Sequence, residues 1–349
     1  MTLPLLVAGL GAMMASWLAV HPLTAWLGRQ GVLDKPNVRS SHSRVTPRGG
    51  GLVMLVTTLI GLLVTEVWWR SLPWPAVLGY VAGVLMIGAV SWLDDRGEVP
   101  VVARLLVQGL AALIAAMVVG RWPIAPGVPL ATVVGWVATV VWIVGLTNLY
   151  NFMDGIDGLA AGQAVVAALG LMFVCVFVVQ PVGSMWAVLI AGSAAGFLAH
   201  NWQPARVFMG DVGSAFLGYT FAVLPLAISS QPAVALAGLL PLWPFLFDGG
   251  FTLLRRLFRG ENVFSAHRSH LYQRLVISGF SHARVAGGYV VLALAGLALI
   301  PLWIGGQTTQ RALTIAVLAA LCGALWGFTA RVESKMAREI SYGAGSPLR

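Results

Sequence analysis

An all-α, polytopic integral membrane protein is the fold class this sequence predicts, and three observations carry it. The 349-residue chain is 58% hydrophobic and only 9% charged, with a mean hydropathy of +0.86. A soluble core of this size could not use so much apolar surface. The apolar residues come in runs of about 20, the length of a helix that crosses a bilayer. The charges gather in alternate connections between those runs, as the positive-inside rule requires of a membrane protein. The net charge of +9 therefore reports sidedness and implies no nucleic-acid partner.

Eleven candidate spans follow in order: 3–27, 49–68, 74–93, 104–120, 129–148, 163–180, 184–200, 213–229, 232–250, 283–304 and 311–331. Two longer runs are divided by turn chemistry, 158–205 at Gln180-Pro181-Val182-Gly183-Ser184 and 212–247 at Ser229-Ser230-Gln231-Pro232. An odd count puts the termini on opposite sides. The loops 28–48, 94–103, 149–162, 201–212 and 251–282 and the tail 332–349 then share a side. In or beside them lie 18 of the 21 basic residues; Arg70, Arg121 and Arg311 lie opposite. That side is expected to be cytoplasmic, with the N-terminus periplasmic, the C-terminus cytoplasmic and residues 1–349 forming a single transmembrane domain. Eleven of the twelve acidic residues follow the same side, Glu66 being the exception. The N-terminus lacks a basic n-region and is not read as a cleaved signal peptide. Cys175 and Cys322 lie deep in apolar runs and read as packing residues.

Five polar clusters fall on that side. Ser-Ser-His-Ser-Arg-Val-Thr-Pro-Arg-Gly-Gly-Gly at 40–51 offers glycine backbone and a helix start to an anion, or is a polar loop entering a helix. Its arginines are Arg44 and Arg48. Asp94 and Asp95 end the third span; adjacent carboxylates repel unless a cation or proton relieves them, and the bland alternative is a solvated helix end. Arg104 is close enough in sequence to return to the same face. Asn151, Asp154 and Asp157 surround a glycine-rich turn, at spacings that bring their oxygens together. Asp211 stands between two glycines before a span, as an N-cap or a metal ligand. Asp248 ends the ninth span and precedes a basic loop with Arg255, Arg256, Arg259, His267, Arg268, His270 and Arg274. That loop either anchors on anionic lipid or grips a diphosphate, and a short interfacial helix is expected over 269–278. A metal–polyphosphate site facing the cytoplasm accounts for all five clusters.

At these residues the chain resembles the polyprenyl-phosphate N-acetylhexosamine-1-phosphate transferases, the MraY/WecA superfamily or glycosyltransferase family 4. The likeness covers about residues 28–275. Asp94-Asp95 looks like the family's Asp-Asp motif. Asn-Phe-Met-Asp-Gly-Ile-Asp-Gly-Leu-Ala at 151–160 looks like its most recognisable signature, and Asn201 to Ser214 like a further one. The final loop, Ala-His-Arg-Ser-His-Leu-Tyr-Gln-Arg-Leu at 266–275, keeps two histidines where a larger cluster stands elsewhere in the family, which is similar to the WecA/WbpL-type branch. The resemblance implies transfer of a sugar 1-phosphate from a UDP-N-acetylhexosamine to undecaprenyl phosphate in the bacterial inner membrane, releasing UMP. This would initiate O-antigen, lipopolysaccharide or a related envelope glycan. It implies Mg²⁺, with Mn²⁺ as a substitute, on Asp211 and Asp154. It implies catalytic roles for Asp94, Asp95, Asp154 and Asp157, and substrate binding by Asn151, Asn201, Arg44, Arg48, Arg104, His267, Arg268 and His270.

Two other readings stand beside it. A cation-coupled transporter would place charges at mid-span and show repeat symmetry; here the charges lie at one face and no repeat is visible. A phospho-N-acetylmuramoyl-pentapeptide transferase would share the chemistry and differ in donor. The sequence names neither the sugar nor the oligomeric state, a homodimer included.

Overall fold

The computed structural model describes residues 2–36, 44–69, 73–97, 99–122, 129–178, 180–229, 231–263, 265 and 267–344. Positions 40–43 of the first cluster, with Arg39, Arg70 and Arg349 of the basic split, fall outside them. Among the described residues the regular structure is helical apart from one two-stranded ribbon. In order the chain forms α1 (Thr2–Gln30), β1 (Leu33–Asp34), β2 (Thr46–Pro47), α2 (Leu52–Trp69), α3 (Trp74–Arg96), α4 (Val101–Val119) and α5 (Pro129–Phe152). Then come α6 (Leu159–Phe177), α7 (Pro181–Asn201), α8 (Gly210–Ile228), α9 (Pro232–Ala237) and a 3₁₀ turn (Leu240–Leu242). The last are α10 (Trp243–Phe258), α11 (Leu271–Ile277), α12 (His282–Ala298), α13 (Ile300–Ile304) and α14 (Thr308–Ala344).

Among the described residues nine helices are long and apolar enough to cross a membrane, and α2 is a shorter apolar helix. The breaks read at Pro181 and Pro232 are present, each proline opening a helix at its first position, where the missing N–H is not needed. The ninth expected span, 232–250, is not one helix. It is α9, the 3₁₀ turn and the start of α10, because Pro241 and Pro244 interrupt the hydrogen-bond ladder and re-open it. The last helix runs on to Ala344, beyond the expected span 311–331. Arg274 of α11 grips Glu333 through two nitrogens and holds that extension in place.

Burial separates the layers. Helices α6, α7 and α8 are mostly buried, whereas α1 and α14 are mostly exposed, so the first three are central and the last two face the surroundings. Backbone groups in hydrocarbon must be satisfied internally, so small residues and hydroxyls join the helices. Ser16 donates to the Ser193 carbonyl at 2.8 Å, and Thr58 meets the Ser193 hydroxyl at 3.0 Å, tying α1 and α2 to α7. At Gly51 and Gly213 the starts of α2 and α8 nearly touch: a Cβ on Gly51 would lie 2.3 Å from Gly213 Cα. This contact sets the geometry of the site.

Candidate functional site

The site begins with backbone. β1 and β2 pair antiparallel, Leu33 opposite Pro47 and Asp34 opposite Thr46. The strand end then runs beside 207–209. Phe208 N–H donates to Pro47 O at 2.8 Å, Gly50 N–H to Phe208 O at 2.9 Å and Gly51 N–H to Met209 O at 2.8 Å. Arg48, inside this ribbon, is thereby aimed at the start of α8. There Gly210 takes φ +74°, and a Cβ on it would meet the Asp95 carboxylate at 2.7 Å. Only glycine fits that turn comfortably.

Asp95 fills the space so left. Its buried carboxylate accepts from Asp211 N–H at 2.8 Å and Val212 N–H at 3.0 Å, capping α8 from another helix. Arg48 Nε sits 2.7 Å from Asp95 Oδ1, and its Nη2 lies 2.5 Å from Asp211 Oδ1. Arg104 completes the ring, paired with Asp94 and 3.6 Å from Asp211 Oδ2. Burial opposes the charged Arg48 guanidinium, but Asp211 and then Asp95 outweigh it and hold the group more firmly protonated than a free arginine.

Asp154 lies in the turn after α5, amid this charge. Burial, and next the negative charge of Asp211, push its carboxyl up to about 8, although part of its surface stays exposed. Asp157 has a different setting. Its Oδ2 accepts from Ala205 N–H at 3.1 Å and its Oδ1 lies 3.2 Å from His282 Nδ1. Asn201 is equally engaged: Oδ1 accepts from Gly158 N–H at 3.1 Å and Nδ2 donates to Val207 O at 3.0 Å. Gln203 Oε1 accepts from Ala283 N–H at 2.7 Å. These contacts clamp the 201–209 loop between the α5–α6 turn and the start of α12. His282 has no signal in the sequence beyond being a histidine near a helix start.

The histidine loop meets the same turn from the other side. The expected short helix is α11. His267 Nδ1 lies 2.9 Å from Ser269 Oγ, and the rings of His267 and His270 are 5.0 Å apart. Burial, then His270 and Arg256, lower the His267 pKa to about 4, so the ring is neutral at pH 7. His270 is buried, with Nδ1 3.4 Å from Asp248. Tyr272 donates to Phe152 O at 3.0 Å, next to Asp154, and feels the charges of both Asp154 and Arg268. The structure thus brings Asp94, Asp95, Asp154, Asp211, Arg48 and Arg104 into one cluster and joins the loop of His267, Arg268 and His270 to it through Tyr272. Arg44 is exposed at the ribbon's edge, and Asn151 is half-buried at the end of α5.

Among the described residues no group of three or more His, Cys, Asp or Glu side chains stands at metal-binding spacing; guanidiniums fill the gaps between the carboxylates. The donors are nevertheless hard carboxylate oxygens held close against their mutual repulsion. Mg²⁺ commonly uses one or two carboxylates and completes its shell with water and phosphate, a demand that these oxygens would meet.

The sequence pattern of glycosyl transferase family 4 matches residues 77–229. Over 266 residues, covering 72% of each chain, this protein is 32% identical to a Bacillus subtilis (strain 168) protein named "Probable undecaprenyl-phosphate N-acetylglucosaminyl 1-phosphate transferase". It is 30% identical over 345 residues to the decaprenyl-phosphate N-acetylglucosaminephosphotransferase of Mycobacterium tuberculosis (strain ATCC 25618 / H37Rv), covering 86% of this chain and 80% of that one. A phospho-N-acetylmuramoyl-pentapeptide-transferase of Synechococcus sp. (strain RCC307) is 29% identical over 342 residues, with 86% and 89% covered.

Proposed function

Because this chain belongs to glycosyl transferase family 4, we propose that it transfers an N-acetylhexosamine 1-phosphate from a UDP-sugar to undecaprenyl phosphate, releasing UMP. The observation that carries this reading is the ring of Arg48 and Arg104 with Asp94, Asp95 and Asp211, at one end of an apolar bundle beside Asp154. An oxygen of the lipid phosphate forms a bond to the sugar-bearing phosphorus; the bond from that phosphorus to the UMP oxygen breaks, and UMP leaves with the electron pair. Both reactants are anions, so charge repulsion is the main obstacle.

Arg48 and Arg104 present planar forks that suit phosphate oxygens. Asp154, with a carboxyl at about 8 in the absence of metal, gives up its proton when a cation arrives, and its ionised form is suited to relieve the acceptor phosphate of a proton as it attacks. Neutral His267 offers the donor hydrogen bonds without added charge. Asp211, with Asp154, would hold Mg²⁺ or Mn²⁺, which supplies charge neutralisation on the diphosphate and on departing UMP. A bacterial inner membrane, a site facing the cytoplasmic donor pool and a role in starting O-antigen, lipopolysaccharide or a related envelope glycan complete the proposed reading.

Membranes containing the protein are given undecaprenyl phosphate, Mg²⁺ and a panel of UDP-N-acetylhexosamines, with the UDP-muramoyl-pentapeptide as a further arm. UMP release with a UDP-N-acetylhexosamine supports the reading. Release with the muramoyl donor alone assigns the peptidoglycan branch, and silence in every arm overturns the proposal.

A further inference from the structure

Asp248 lies on α10, is fully buried, and has no part in the reaction as written above. A carboxylate withdrawn from water is costly unless its lone pairs are met. Asp248 meets them with groups from three elements. Oδ1 accepts from Leu271 N–H at 2.7 Å and from the Thr252 hydroxyl at 3.2 Å. Oδ2 accepts from Tyr272 N–H at 3.0 Å and from the Tyr289 hydroxyl at 2.6 Å. The two backbone donors are the first N–H groups of α11, so the carboxylate caps that helix from across the bundle.

What α11 carries is thereby fixed. His270 precedes it, with its ring stacked on Tyr272 at 5.7 Å. Tyr272 is buried and donates to Phe152 O at 3.0 Å. Gly155 admits the ring: a Cβ there would come within 2.1 Å of the Tyr272 oxygen. Phe152 and Gly155 bracket Asp154. A chain of contacts therefore runs from Asp248 through Tyr272 to the turn that carries Asp154.

We propose that Asp248 is a positioning residue of the transfer reaction: by capping α11 it holds Tyr272 against the Phe152–Gly155 turn and so sets the histidine loop relative to Asp154. This rests on the transferase reading. The full chain is tested as Asp248→Asn, Tyr272→Phe and the double variant, by UMP release per folded molecule and by amide exchange. Misplacement of this kind is expected to lower kcat about tenfold or more in Asp248→Asn. Tyr272→Phe should lose part of that, and the double variant should be no worse than Asp248→Asn. Exchange at 152–156, which Asp248 does not touch, should rise in both single variants. A merely structural Asp248 would leave kcat per folded molecule unchanged, or give losses that multiply, and either result overturns the proposal. Should Asp248→Asn fail to fold, Tyr272→Phe with unchanged kcat and unchanged exchange overturns it equally. A wild-type protein silent with every donor counts against the transferase reading instead. Exchange then decides for Asp248, with a rise confined to 268–273 overturning its link to the Asp154 turn.

Discussion

Asp95 and Asp211 meet at one helix terminus and do different things there. Both oxygens of Asp95 accept α8 backbone N–H groups, and its side chain is buried. Asp95→Asn replaces one acceptor with a donor facing another donor, so it should destabilise the protein by about 1–3 kcal/mol as well as lower turnover, read by thermal melting and UMP release. Asp154 should behave in the opposite sense. Its folded pKa is raised to about 8, above the usual carboxylate value of about 4. The folded chain therefore holds this proton better than the unfolded one, and the associated stability is lost as pH rises from about 4 through 8. Asp154→Asn should abolish turnover yet flatten that loss, melting at least as high as wild type at pH 8.5 in EDTA. The residue types of the site were legible in the motifs. Their division of labour was not: Asp95 and Asp211 are 116 residues apart in sequence, and a cap supplied from another helix leaves no local pattern. Likewise Asp157, one of a pair of aspartates by spacing, is taken up by Ala205 and His282, a partner 125 residues away.

At the scale of elements, two contacts decide whether the site's loops hold their places. The 201–209 loop depends on Asp157, Asn201 and Gln203. His282→Ala removes one of the partners and should lower turnover several-fold while leaving Mg²⁺ dependence unchanged, measured as UMP release against Mg²⁺ concentration. The α11–α14 brace depends on Arg274 and Glu333. Arg274→Glu should expose α14 beyond Arg331 to protease, and adding Glu333→Arg should restore protection; failure of the swap to restore it would separate the pair from the brace. Hydropathy read the lengths of the helices well and their continuity poorly. The interruption of 232–250 rests on Pro241 and Pro244, which an average over 20 residues hides. The bracing of α14 against α11 is a tertiary ion pair, Arg274 with Glu333, that no window along the tail contains.

For the whole molecule, five loops separated in sequence close on one end of the bundle. Arg48, Asp95 and Asp211 join three of them, Tyr272 and Phe152 the other two, and Asp157 and Ala205 link the groups. The charge split predicted that these loops share a side, since sidedness is written in basic residues one loop at a time. Which carboxylate faces which arginine is set by packing at Gly51, Gly210 and Gly213, and that is visible only in three dimensions. An impermeant thiol reagent added to intact cells should leave a cysteine at position 268 unlabelled, as a cytoplasmic site requires. The central claim is that the ring around Asp211 is where phosphate is transferred, and Asp211→Asn tests it most directly: the size is kept, the charge is lost, and Arg48 and Arg104 lose their common partner. At membrane levels matched to wild type and with an unchanged melting temperature, UMP release should fall about 100-fold or more; near-normal release at ordinary Mg²⁺ would contradict the account.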